Sequence, residues 1–203
     1  GTRPGGRPQF RARPPNHLNR SGGCLFDSAA SMRAFRLSVV EKDKPVLAMR
    51  IIVGRDYRST PTFNGKLSHM ILNPYWNVPD SIARKDLLPK QQSDPSHFTS
   101  LNIKVFPNHN RNGEAIDPDT IDWQAIKHRF PYVLRQDPGK NNALGRIKFM
   151  FPNSFDIYLH DTPSKSLFQR DVRTFSSGCI RLEKPLEFAA FALGKQELPE
   201  KFL

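Results

Sequence analysis

Residues 34–54 read AFRLSVVEKDKPVLAMRIIVG. Apolar side chains alternate at Phe35, Leu37 and Val39, the period of a strand with one face in a core. Residues 41–44 are polar and suit a turn, and residues 46–53 supply a second strand, so the stretch predicts a β-hairpin. Working outward, a strand is expected at 67–72, ended by Asn73-Pro74. Two more flank Pro152-Asn153-Ser154, the second running over 155–159 and delivering His160 at its end. Helices are short. One begins at Asp80 or Ser81 and stops at Pro89; another has Pro185 in its first turn and Gly194 as its stop. The fold class expected is mainly β with short helices, of the α+β type.

The 203 residues suit one domain with an insertion. Eighteen prolines favour turns over long helices, and 15 phenylalanines supply core. Thirty-one Lys and Arg against 19 Asp and Glu give +12, so anionic partners are favoured. Charge is the sole argument for nucleic acid, because RNP-like aromatics, zinc-finger spacing and a basic recognition helix are all missing. No apolar run approaches the length of a membrane span. Residues 1–31 read as a basic tail or linker rich in Pro, Gly and Arg, and Cys24 at its end has no activating neighbour. Residues 80–143 are polar and studded with proline; a stretch of that length inside a domain suits a lid over a site. Within it Asp117 caps a turn opened by Pro118, which accounts for its acids better than a metal site does.

Near the C-terminus, residues 173–185 read RTFSSGCIRLEKP. A thiol becomes a useful nucleophile when a base, usually histidine, takes its proton and backbone N–H groups hold the oxyanion. Gly178 permits dihedrals that would aim its own amide and that of Cys179 at one spot. His160, at a strand end one loop upstream, can meet Cys179 at a common sheet edge. The residues alone leave Cys179 between a nucleophile and a core cysteine.

The run YLHDTPSKSLFQRDVRTFSSGCIRLEKP, residues 158–185, resembles the L,D-transpeptidase (YkuD-type) signature: His-x-Thr, then after a loop Ser-x-Gly-Cys-x-Arg. IIVGRDYRSTPTF and LNPYWNVPDSIARKDLLP also resemble the larger periplasmic Gram-negative members, which carry a lid subdomain. The resemblance covers 32–203 as a catalytic domain and implies a β-sandwich of mixed sheets with a lid-like insertion at about 80–143. Many members have histidine immediately before Gly-Cys, where this chain has Ser177, so proton transfer falls to His160 alone.

The resemblance implies Cys179 as nucleophile and His160 as general acid and base, with the Asp161 backbone carbonyl orienting its ring and Gly178 in the oxyanion turn. Arg181 either holds a substrate carboxylate or braces the loop, Ser177 belongs to the substrate-side turn, and Tyr158 and Trp76 either line the donor groove or pack in the core. The activity implied is attack of Cys179 on a peptidoglycan tetrapeptide stem, release of D-alanine, and transfer of the thioester to the diaminopimelate amine of a second stem. Carbapenem-type inhibitors are implied partners, the location is the periplasm or cell envelope, and neither cofactor nor metal is required. The alternatives are an L,D-carboxypeptidase or hydrolase on the same stems, and a non-catalytic peptidoglycan-binding module.

Overall fold

A computed structural model describes residues 9–12, 26–107, 113–127, 129–196 and 198 of the 203. Cys24 lies outside the described residues. Two compact units divide the chain: one runs to Leu72 and resumes at Ile147, and the other is Asn73–Arg146.

In chain order the strands of the first unit begin with β1 (Gln9–Ala12), β2 (Phe26–Ser31), β3 (Arg36–Glu41), β4 (Lys44–Gly54), β5 (Asn64–Gly65) and β6 (His69–Leu72). The inserted unit holds β7 (Trp76–Asn77), β8 (Ile103–Pro107) and β9 (Tyr132–Gln136). The first unit then adds β10 (Ile147–Met150), β11 (Leu159–His160), β12 (Thr174–Ser176) and β13 (Ile180–Leu182). Its strands follow one another as β5-β1-β2-β3-β4-β13-β11-β10-β6, with β12 beside β4. The pairing is mixed: β1/β5, β11/β13 and β12/β4 are parallel, the rest antiparallel.

The expected hairpin is β3–β4, turned by Lys42 and Asp43, both with positive φ, 48° and 62°. Two such residues make the turn whose twist matches the flanking strands. β4 is long enough to serve three partners. It pairs with β3 up to Arg50, with β13 through Ile51 and Ile52, and with β12 at Val53 and Gly54. Alternate residues on both sides of β4 enter one core: Leu37 and Val39, Met49 and Ile51, Phe149, Leu159, Ile180 and Leu182. Side chains of both arms therefore bury against each other in one core that β4 joins. The helix Pro185–Ala192 adds Phe188, whose ring meets Phe149 edge-on at 5.0 Å between centroids. Fully burying such a ring contributes roughly 1.5–3 kcal/mol.

The inserted unit leaves after β6 and returns at β10, where Leu72 and Ile147 are cross-strand partners. Adjacent strand ends make a long insertion tolerable, because the loop it closes is already closed by the sheet. Its own sheet runs β7-β9-β8, and Phe98, Val105, Trp123 and Leu134 sit in its separate core.

Three sequence expectations are corrected. Within residues 1–31, Gln9–Ala12 and Phe26–Ser31 are strands, with β2 paired along the whole of β3. Their composition lacks the alternation that announces a strand, because pairing with a neighbour, not local preference, holds them. Pro89 does not stop its helix, which continues to Ser93. A π-turn at Ala83–Leu87 precedes it, with the Leu88 N–H bonded to the Ala83 carbonyl, so the wider turn absorbs the donor that proline lacks. The strand expected over 155–159 is reduced to Leu159–His160. Asn153 is the reason: its side-chain amide donates to the Phe151 and Ile157 carbonyls while its oxygen accepts from the Phe155 and Ile157 N–H groups. That local network outcompetes a ladder.

Candidate active site

Strand alternation decides which side chains meet. Ile180 and Leu182 enter the core, so Cys179 and Arg181 point to the opposite face of β13. Leu159 enters the core, which turns Tyr158 and His160 to that same face; Phe149 does likewise for Lys148. Register then sets Lys148, His160 and Arg181 in one row across three strands. The Ile180 N–H reaches the Tyr158 carbonyl at 3.1 Å and brings Cys179 beside Tyr158.

The His160 ring is 5% exposed, and its Nδ1 contacts the Asp161 carbonyl oxygen at 2.5 Å. A carbonyl only accepts, so Nδ1 carries the hydrogen and Nε2 is the basic nitrogen. Burial, and then the charge of Arg181, pushes His160 down to about 3, so the ring is neutral at ordinary pH. The Asp161 carboxylate is engaged elsewhere, with the Lys165 ammonium.

Cys179 is free and partly exposed. Burial pushes its thiol up; hydrogen bonds from the Tyr158 backbone and hydroxyl, and the charges of Lys148 and Arg181, act against that rise. The thiol also lies 4.0 Å from the Asp156 carbonyl. Tyr158 is itself held protonated by burial, and its ring centroid is 5.7 Å from that of His160.

The turn before Cys179 is tied from several directions. Ser176 Oγ donates to the Cys179 carbonyl and accepts from the Gly178 N–H at 3.1 Å. Thr60 Oγ1 donates to the Gly178 carbonyl at 2.7 Å and accepts from the Gly54 N–H at 2.9 Å. Arg58 Nη1 donates to Ser177 Oγ at 3.0 Å. Gly178 has φ +119°, and a Cβ there would stand 3.1 Å from Ile157 Cδ1, so glycine is required on both counts.

The sequence-predicted residues thus fall into three groups. Cys179, His160, Tyr158 and Arg181 share one face. Asp161 presents its backbone carbonyl to the ring. Ser177 and Gly178 form the adjoining turn, but the Gly178 N–H donates to Ser176 Oγ and is not the oxyanion donor expected of it. The reason is that a buried serine two residues back reaches that amide first. Trp76 lies in β7 of the inserted unit, packed against that unit's core. Missed by sequence reading were Lys148, Thr60 and Arg58. The 147–150 alternation flags Lys148 as the one polar residue of an apolar strand; nothing local marks the other two. Among the described residues no group of three metal-ligating side chains occurs, and Asp117 and Asp122 accept from backbone N–H groups at their helical turns.

Such a face, with a thiol, a neutral imidazole of fixed tautomer and a hydroxyl donor, can carry nucleophilic acyl chemistry. The sequence matches the L,D-transpeptidase catalytic domain family (YkuD) over residues 29–197, and the chain belongs to that family. A Haemophilus influenzae protein named "Putative L,D-transpeptidase" is 42% identical over 160 residues, 79% of this chain and 32% of that protein. The chain therefore spans about a third of that relative's length. Among solved structures, an L,D-transpeptidase from Mycobacterium smegmatis is similar at 11% identity and a TM-score of 0.36, over 87% of this chain and 65% of that one. An LD transpeptidase in complex with imipenem is similar at 12% identity and a TM-score of 0.41, over 94% of this chain and 79% of that one. No helix among the described residues is long and apolar enough to cross a membrane.

Proposed function

We propose that this chain forms peptidoglycan cross-links in the cell envelope through a Cys179 thioester. The observation that carries the reading is the His160 ring held with Nδ1 protonated against the Asp161 carbonyl, on the sheet face that also presents Cys179. His160 Nε2 takes the thiol proton as sulfur attacks the carbonyl before the terminal D-alanine of a tetrapeptide stem. The Cys179 N–H and the Tyr158 hydroxyl are the donors assigned to the oxyanion, since the Gly178 N–H is engaged in its turn. The C–N bond breaks, D-alanine leaves with the proton returned by His160, and an S–C bond remains. The side-chain amine of a second stem's diaminopimelate then attacks; the new C–N bond forms, the S–C bond breaks, and the proton lost by the amine passes through His160 to the departing thiolate. A net charge of +12 favours recruitment of these carboxylate-rich stems.

Incubation with disaccharide-tetrapeptide, read by mass, tests the assignment. The expected product is a dimer short of one D-alanine. Tripeptide alone assigns a carboxypeptidase or hydrolase, and no turnover leaves a binding module. Intact-mass analysis after carbapenem treatment should give one adduct, mapped to Cys179. Cys24→Ser should label normally and Cys179→Ser not at all; labelling confined to Cys24 overturns the reading.

A further inference from the structure

Two cations flank one neutral imidazole on the site face, and a third acts on one of them. Lys148 and Arg181 occupy the strands either side of His160, each about 4.8 Å away in the sheet. Arg55 is close enough to hold Arg181 below its ordinary value, second to burial. Arg181 Nε is buried with no hydrogen-bond partner among the described residues. The Lys148 ammonium lies 3.8 Å over the Tyr158 ring, and among the described residues it is paired with no carboxylate. Burial also lowers Lys148. Positive charge half out of water with no counter-charge is unfavourable, and a bound anion relieves it.

We propose that Lys148 and Arg181 form a receptor for a carboxylate on the residue that leaves when Cys179 is acylated. The site then selects peptides that end one residue beyond the scissile carbonyl. Spacing fits this role: Arg181 is two residues along β13 from Cys179, about 6.6 Å. The carboxylate of a terminal residue follows the scissile carbonyl within about one residue length, ~3.8 Å between α-carbons. Arginine offers a planar fork to that carboxylate and lysine a point charge. An amide or an added residue at this position replaces the anion with a neutral group and forfeits both attractions. This inference rests on the acyl-transfer reading above, and it makes Lys148, which no motif marks, a specificity-determining residue.

The test compares a tetrapeptide having a free C-terminal carboxylate with its C-terminal amide, following acylation of Cys179 by intact mass. Wild-type protein should use the acid at least about tenfold better in kcat/KM, with most of the difference in KM, roughly 1.4 kcal/mol. Lys148→Gln should lower kcat/KM for the acid about tenfold more than for the amide, erasing most of the preference; Lys148→Arg should restore it. Equal use of acid and amide by the wild-type protein overturns the receptor alone, whatever the stability of the variants. So does a Lys148→Gln loss that is the same for both peptides. If neither peptide acylates Cys179, the acyl-transfer reading falls and the receptor with it.

Discussion

Both partners of the Cys179–His160 pair should be uncharged in the resting protein, and acid makes this measurable. Burial holds His160 at about 3, whereas an imidazole in the unfolded chain titrates near 6.5. Between those values the unfolded chain binds more protons than the native one, so stability rises with pH through the window and is complete above 6.5. The slope approaches about 1.4 kcal/mol per pH unit, and wild-type protein should lose about 2 kcal/mol from pH 6.5 to 4.5 that a His160→Gln variant keeps. Urea unfolding followed by far-UV circular dichroism at the two pH values gives the difference directly. The His160 ring resonances should stay flat from pH 8 to 4.5. Because burial also raises the Cys179 thiol, iodoacetamide alkylation in a Cys24→Ser background should climb about tenfold per pH unit from 6 to 8.5. A ring that titrates near 6.5 or above would refute the reasoning from burial, and so would an alkylation plateau below pH 7, which would mean that the thiolate already exists at neutral pH.

Ser176→Ala removes the partner of the Gly178 N–H at a position only 2% exposed; a loss of about 1–3 kcal/mol is expected by urea titration, with slower carbapenem labelling. Gly178→Ala must hold φ near +119° against Ile157, at roughly 1–3 kcal/mol, so labelling should collapse while circular dichroism is retained. Wild-type labelling in either variant would show that the turn's geometry does not set reactivity. Phe98→Ala empties the core of the inserted unit, where Phe98 meets Trp123 edge-on at 5.1 Å; about 3–5 kcal/mol should be lost, read from tryptophan fluorescence. Shortening residues 80–143, whose composition suits a lid, should shift products from cross-linked dimer toward tripeptide if they shield the thioester; an unchanged ratio removes that role.

Local chemistry made the hairpin of residues 34–54, the helix after Pro185 and the Asp117 turn legible, because alternation, proline and capping act within a few residues. The Gly-Cys-x-Arg run also announced its glycine, whose positive φ no other residue tolerates well. Elsewhere the outcome depended on partners far away in the chain. β2 is a strand because β3 was there to pair with it, β1 because it lies between β2 and β5, and the helix passes Pro89 because a π-turn took up the missing bond. The strand before His160 shrank because one asparagine organised its loop. The sequence by itself determined which residues could do chemistry: the cysteine of the Ser-Gly-Cys-x-Arg run and the histidine before Asp-Thr. Tertiary structure alone decided their company. Sheet register put Lys148 level with His160 and Arg181, and burial made the imidazole neutral. Thr60 and Ser176 between them engaged the backbone of Gly178. Register and desolvation arise only when separate strands come together, so no reading of local pattern contains them.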